Sequence, residues 1–318
     1  MRRILLDTDL AMGAAGSDID DGFALALALA DPDIQVDLVT TVGGNSDVDT
    51  STRLTLELLE RVGQDDVPVV RGAGMPLDPR WRRPTTSAVS GGATPASPGQ
   101  ARQGAVALVE RVMAEPGELT IVAIGPLTNV ALALMVEPAV ADAVREIVVM
   151  GGVYLKHTNV AAMPGEYNFW CDPDAASAVL ASGAPLRLVG LDVTEQVRLT
   201  RRHTAQMRAS DRRFAPFAGE CADGWIDFQT RAKARDEREH DSCALHDPLA
   251  VAVVSHPEVV TWQPAHVAVE TTSPLTRGVA IADLGLWDSP PVPNAQVAVA
   301  VDAPAFMAYF LDQIGTLP

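Results

Sequence analysis

Cysteine is scarce in this sequence of 318 residues, where Cys171, Cys221 and Cys243 form an odd set without metal-ligand spacing. That excludes a disulfide-stapled scaffold and predicts a reducing, cytoplasmic setting. Positive charge is short as well, with 24 Lys and Arg against 41 Asp and Glu and a formal net charge of −17. So acidic a chain repels a phosphate backbone and an anionic membrane surface, which argues against nucleic acid or membrane as partner and for a small or neutral ligand. No charge-free run is long enough to span a bilayer, and Arg2-Arg3 leads at once into a short apolar run ending at Asp7, not into a signal segment. Internal repeats are absent.

What is present is enough apolar material, 47% of residues, to bury a large core. Ile4-Leu5-Leu6, Val36 to Val42, Leu119 to Ile124 and Ile147 to Met150 are apolar runs, each closing in a polar or Gly-rich loop. Helical spacing over Asp21 to Leu29 (ended by Pro32), Thr50 to Val62 and Asn129 to Met135 alternates with them. The pattern predicts an α/β fold in one domain over 1–318, with an open, mainly parallel, Rossmann-like sheet flanked by helices and its ligand loops along one edge. Residues 76–100, rich in Pro, Gly and Ser, read as a long surface loop of the kind that covers substrates. A helical arm is expected over about 200–242, with Arg231 to Asp241 as its solvated end. Val297 to Val301 and Phe306 to Ile314 read as scaffold.

Four aspartates crowd the start of the chain, in Asp7-Thr-Asp9 and Asp20-Asp21. Carboxylates delivered together to the rim of a buried strand are costly unless a cation or shared protons compensate them, so the cluster points to a divalent metal, with calcium favoured over magnesium by the number of hard oxygen ligands. Asn45, Thr128-Asn129, Asn159, Glu166, Asn168 and Asp172 follow later strands and should face the same edge, and His246-Asp247 opens a helix over Pro248 to Val254. Amides and carboxylates converging on a metal suit a polyhydroxylated ligand such as a sugar, because each hydroxyl both donates and accepts.

With Thr40-Thr-Val-Gly-Gly-Asn45, Gly125-Pro-Leu-Thr128-Asn129, Met150-Gly-Gly152, Gly165-Glu166-Tyr-Asn168-Phe-Trp-Cys-Asp172-Pro and His246-Asp247-Pro248, the chain resembles the inosine-uridine preferring nucleoside hydrolases. The resemblance runs from residue 3 to about 255 in six ordered blocks and implies the nucleoside hydrolase fold. It further implies calcium bound by Asp9, Asp21, Asp247 and the main-chain carbonyl of Thr128. Asp9 would also be the general base for water attack on the anomeric carbon of a ribonucleoside, with inversion there and release of a free base. Asp20, Asn45, Asn159, Glu166 and Asn168 would hold ribose hydroxyls with Met150 beneath the ring, and His246 would protonate the leaving base, since an imidazole readily carries a proton near neutral pH. A His beside the last ligand, where purine-restricted relatives have Trp, leans toward inosine-uridine or broader specificity. A homodimer or homotetramer is implied too.

The sequence departs from the family pattern in two places. Ten residues, Leu10 to Ile19, separate Asp9 from the Asp20-Asp21 pair; Gly16-Ser17-Asp18-Ile19-Asp20-Asp21 matches a form that some relatives carry, so Leu10 to Ala15 is the extra excursion and Asp18 stands as an alternative to Asp20 or an outer ligand. Ser90-Gly91-Gly92 stands where relatives carry a His-Gly step, which leaves Trp81, or Trp225 and Phe228 on the arm, to face the base by stacking. Asp7 is either a ligand or a hydrogen-bonded support, Asn45 either a site residue or a left-handed turn, and Cys171 and Cys243 read as small buried groups. Two other functions fit parts of the pattern. A haloacid-dehalogenase-like phosphatase also opens with Asp-x-Asp, but Ala11 stands where it carries Thr or Val. A calcium-dependent sugar-binding protein without turnover would lack the base or a ligand, yet Asp9, Asp21 and Asp247 are all present.

Overall fold

The computed structural model describes residues 1–14, 16–82, 103–232, 240–285 and 288–318. Among these the strands are β1 (Arg2–Thr8), β2 (Ile34–Thr41), β3 (Val69–Arg71), β4 (Leu119–Ala123), β5 (Glu146–Met150), β6 (Leu186–Val189), β7 (Arg198–Thr200), β8 (Ser242–Ala244), β9 (Val260–Val269), β10 (Ala280–Asp283) and β11 (Ala295–Val301). The helices are α1 (Asp20–Ala30), α2 (Val48–Val62), α3 (Gln103–Ala114), α4 (Thr128–Val136), α5 (Val140–Ala143), α6 (Tyr167–Cys171), α7 (Pro173–Leu180), α8 (Leu191–Thr194), α9 (Arg201–Arg208), α10 (Phe214–Ala232), α11 (His246–Ser255) and α12 (Ala303–Ile314).

Nine strands form one sheet in the order β10-β9-β11-β6-β5-β4-β1-β2-β3, parallel from β11 to β3, with β9 antiparallel to both its neighbours. Ile4, Leu5 and Leu6 are fully buried, as a parallel strand covered on both faces by helices requires. The chain starts in the middle of the sheet, builds outward through β2 and β3, then returns to the other side of β1 and builds through β4, β5 and β6. The loops after β1 and β4 therefore part in opposite directions and leave a crevice at the carboxyl ends of these two strands, where open α/β sheets bind ligands.

Two helices deliver residues to that crevice. Asp20 and Asp21 occupy the first turn of α1, where the helix dipole favours negative charge, and its Ala- and Leu-rich body is buried. Phe23 meets Phe214 and Phe310 edge-on, at centroid separations of 6.3 and 5.6 Å. The second helix, α11, is buried along Asp247 to Val254 and packs against α1 and β5, so His246 and Asp247 at its start are carried to the crevice.

The first part of the segment between Asp9 and Asp20 is packed into the fold. Leu10, Ala11 and Met12 are core residues, and Met12 lies so close to Gly22 of α1 that a side chain there would clash with it. Farther along, Gly13 faces Leu54 and Phe217, and Gly16 faces Phe228 of α10. Most of the long loop expected at 76–100 lies outside the described residues. Its described start is a short 3₁₀ turn, Pro79–Trp81. The arm is present as α9 and α10, while 233–239 lie outside the described residues. No described helix is long and apolar enough to cross a membrane.

Candidate active site

Asp9 follows the last residue of β1 and is fully buried. Its Oδ2 accepts the Asn45 backbone N–H at 2.6 Å, and its Oδ1 has no hydrogen-bond partner among the described residues. Glycine makes this position possible, because a Cβ on Gly44 would come within 2.0 Å of Asp9 Oδ2 and one on Gly125 within 2.9 Å of Oδ1. Asp21 is held by three groups from two loops: Thr8 Oγ1 donates to its Oδ1 at 2.6 Å, Asn45 Nδ2 donates to its Oδ2 at 2.9 Å, and Asp9 lies beside it. Asp20 Oδ2 accepts the backbone N–H of Asp247 at 3.1 Å, which joins the start of α1 to the start of α11.

Asp20, Asp21 and Asp247 offer oxygen atoms that all lie within 4.8 Å of one another, and all three are buried. Burial, with mutual repulsion added, holds the carboxyls of Asp9, Asp20 and Asp247 well above the usual range, and burial raises Asp21 to about 6. No described Lys or Arg makes an ion pair with any of the four. Buried, acid-only and uncompensated, with one orphaned oxygen on Asp9, this donor set fits a hard divalent cation. Between the alternatives Asp18 and Asp20, the structure brings Asp20 into the group with Asp21 and Asp247, and half-buried Asp18 lies next to Asp20.

Asp7 is support. Its Oδ1 accepts from Thr40 Oγ1 at 2.5 Å and from Asn129 Nδ2 at 2.7 Å, and Asn129 also donates to the Thr41 carbonyl and accepts from Ala73 N. These bonds pin β1, β2 and the start of α4 together beneath the crevice. Thr128 Oγ1 donates to Asp172 Oδ2 at 2.7 Å, and Asp172 in turn caps α7. Asn45 has no left-handed backbone, so its position is set by its bonds to the two aspartates and not by turn geometry.

On the β5 side, Glu166 caps α6. Its Oε1 accepts from Asn168 N at 2.8 Å, and its Oε2 from Gly152 N at 2.9 Å and Phe169 N at 3.1 Å. Burial nonetheless raises its carboxyl to about 7. Asn168 Nδ2 donates to the carbonyls of Ile124 and Met150 at 3.0 and 3.1 Å and sits 3.5 Å from the Met150 sulfur, tying the ends of β4 and β5. Asn159 is exposed, in a left-handed conformation, and its hydrogen bond is to His157 within its own loop. The described contacts do not bring it to the acidic group.

His246 is half-buried at the start of α11, with Nδ1 2.7 Å from Thr194 Oγ1. Trp225 and Phe228 stack at 5.4 Å on α10, with Phe228 40% exposed beside Gly16. Trp81 corrects the expectation of an open stacking face. It is buried, its indole N–H donates to Asp174 Oδ2 at 2.7 Å, and the guanidinium groups of Arg80 and Arg277 lie over its ring. Burial and the neighbouring Asp18 and Asp20 push the Cys243 thiol up, so it packs as a neutral group. Thr8, Thr194 and Tyr167, whose hydroxyl donates to the Gly44 carbonyl at 2.9 Å, escape a reading of the sequence. Only Thr8 carried a signal, its place between two acids.

Comparison with known proteins places these features in one family. The family model described as inosine-uridine preferring nucleoside hydrolase matches residues 4–308. The chain is 32% identical to a protein of Leishmania major named inosine-uridine preferring nucleoside hydrolase, over 98% of this chain and 97% of that one. It is also 32% identical to a probable uridine nucleosidase of rice, covering 96% and 91%. Among solved structures, a purine-preferring ribonucleoside hydrolase from Gardnerella vaginalis superimposes with a TM-score of 0.82, at 31% identity and 98% coverage of both chains.

Proposed function

The chain belongs to the inosine-uridine preferring nucleoside hydrolase family, and from that premise we propose that it is a calcium-dependent nucleoside N-ribohydrolase acting on both purine and pyrimidine ribonucleosides. The observation that carries the reading is Asp9 Oδ1: a buried carboxylate oxygen without a donor, set beside Asp21 at the crevice between β1 and β4. A calcium ion held by Asp9, Asp21, Asp247 and the Thr128 carbonyl, with Asp20 beside them, supplies Lewis-acid polarisation of the oxygens it meets.

Asp9 Oδ1 accepts the proton of a water that attacks the anomeric carbon from the face opposite the base. The bond from that carbon to the base nitrogen breaks, its electron pair leaves with the base, and His246 gives that base a proton. As positive charge grows on the sugar ring, the nearby carboxylates stabilise it more than they stabilise the neutral substrate. Asp20, Asn45, Asn159, Glu166 and Asn168 hold ribose hydroxyls in this reading, Met150 lies under the ring, and Trp225 with Phe228 covers the base. The protein acts in the cytoplasm, to which its three free cysteines are suited, and assembles as a homodimer or homotetramer.

The test is ribose release from inosine, adenosine, guanosine, uridine and cytidine, with added calcium and after exhaustive chelation. Calcium-dependent release from both base classes is expected, and Asp9→Asn should abolish it while the protein remains folded. Near-wild-type rates in Asp9→Asn would sink the mechanism. Calcium loading without release from any nucleoside would favour a binding protein.

A further inference from the structure

Tyr167 opens α6 between Glu166 and Asn168, on a mount that is held firmly. Glu166 caps the helix by accepting from Asn168 N and Phe169 N, and ties it to the end of β5 by accepting from Gly152 N at 2.9 Å. From there the Tyr167 hydroxyl reaches the Gly44 carbonyl at 2.9 Å. A carbonyl only accepts, so the phenol is the donor. The two loops joined in this way follow β5 and β2, which stand three places apart in the sheet with β4 and β1 between them. At roughly 4.8 Å per strand, the bond ties together segments whose strands lie about 14 Å apart, across the crevice.

The carbonyl that Tyr167 meets belongs to the peptide group that holds Asp9. Gly44 C=O and Asn45 N–H are the two ends of one planar amide. Its N–H end donates to Asp9 Oδ2 at 2.6 Å and its carbonyl end accepts from Tyr167, so one rigid plate is gripped at both ends. The plate cannot rock away from Asp9 without breaking the tyrosine bond. A carbonyl that accepts a hydrogen bond also polarises its amide, which makes the N–H a stronger donor. Oδ2 is thereby kept engaged, and Oδ1, without a hydrogen-bond partner among the described residues, is the oxygen left for the reaction.

Resting on the hydrolase reading above, we propose that Tyr167 is a positioning residue: through the Gly44–Asn45 peptide it orients Asp9, so that Oδ1 is the oxygen that receives the proton of the attacking water. It acts through the backbone, one bond beyond the group that touches the carboxylate. Orienting partners of a reacting group are typically worth about 10- to 100-fold, and that extra bond places Tyr167 at the lower end.

Tyr167→Phe in the full-length chain tests it, because phenylalanine removes the hydroxyl and keeps the ring that lies 6.3 Å from Trp170. The first readout needs neither calcium nor turnover. Asn45 is one of five asparagines, so NMR of protein labelled at asparagine alone shows few backbone amides, and that of Asn45 is identified by its loss in Asn45→Gln. In the chelated protein the Asn45 amide proton should move upfield in Tyr167→Phe as its bond to Asp9 weakens. The amide of Asn294, which donates to the Ala265 carbonyl, should stay in place. An Asn45 amide proton at its wild-type position overturns the proposal. In the second readout, at saturating calcium, kcat for ribose release from inosine should fall roughly 10-fold with KM unchanged. A wild-type kcat, or a loss confined to KM, overturns the positioning role. A wild type that hydrolyses no ribonucleoside overturns the hydrolase reading instead, so the two failures are distinct.

Discussion

At Asp9 two glycines decide where a carboxylate can lie. Gly44 is constrained on both sides, its N–H bonded to the Ser46 carbonyl and its own carbonyl to the Tyr167 hydroxyl, so it cannot retreat from an added methyl group. Gly44→Ala would drive a Cβ to 2.0 Å from Asp9 Oδ2 and 2.9 Å from Pro126. Displacing a catalytic group by about an ångström typically costs on the order of 100-fold, and kcat for ribose release should fall by that order while the circular dichroism spectrum stays native. A variant within a factor of about three of wild type would show that Asp9 need not lie where it is drawn. For His246→Ala, an unchanged rate on uridine, a poor leaving group, would remove it as the acid. At this scale the sequence was legible where residue type and spacing both carried chemistry: Asp9, Asp20, Asp21 and Asp247 converge as their motifs imply. It was misleading where one residue type serves two purposes. Trp81 could stack on a base or fill a core, and only the neighbouring Asp174, Arg80 and Arg277 decide that it fills a core. Thr194 was invisible because nothing in a lone threonine signals its partner 52 residues away.

Among the elements, the segment from Leu10 to Ile19 joins the catalytic strand to the helix that carries Asp20 and Asp21. Its buried half docks Met12 on Gly22, where a Cβ would stand 2.6 Å from Met12 Cβ and Sδ. Gly22→Ala should therefore cost about 1–3 kcal/mol of stability by overpacking, read from denaturant unfolding. It should also weaken calcium binding, because relief of the clash shifts the first turn of α1. Wild-type stability and wild-type calcium affinity together would show that this segment moves freely. The run Leu10-Ala11-Met12 is apolar and is buried as its composition requires. The apolar strands β1, β2, β4 and β5 were read to within a few residues, since burial on both faces leaves an unbroken apolar run. The strand β9 was not read from the sequence, and its Pro264 is a residue that central strands avoid. That residue pairs only toward β11, since β10 stops at Asp283 opposite His266.

Across the whole molecule, charge and protons couple the site to stability. Asp21 is raised to about 6, Asp7 and Glu166 to about 7, and Asp9, Asp20 and Asp247 are raised as well, all chiefly by burial. A folded state that holds protons the unfolded chain has released is favoured below the unfolded carboxyl range, near pH 4, and loses that advantage as pH rises toward about 7. The chelated protein should therefore lose stability from these groups over that window. Calcium opposes the loss by binding the ionised carboxylates, with a gain of roughly 2.7 kcal/mol at a hundredfold excess over Kd. The gap in Tm between calcium-loaded and chelated protein should accordingly widen from about pH 5 to about pH 7.5. An equal gap at both values would mean that the raised carboxyls are not the ones that bind the ion. The mainly parallel sheet with its ligand loops along one edge was legible from the alternation of strands and helices, whereas the strand order was not. The base-covering parts were not, because stacking surfaces carry no spacing rule.

The most direct test of the account is the anomeric form of the first ribose released. In proton NMR of inosine hydrolysis by the calcium-loaded protein, attack by water from the face opposite the base requires that α-ribose accumulate first and then mutarotate. Early accumulation of β-ribose would contradict a single displacement with Asp9 as the base.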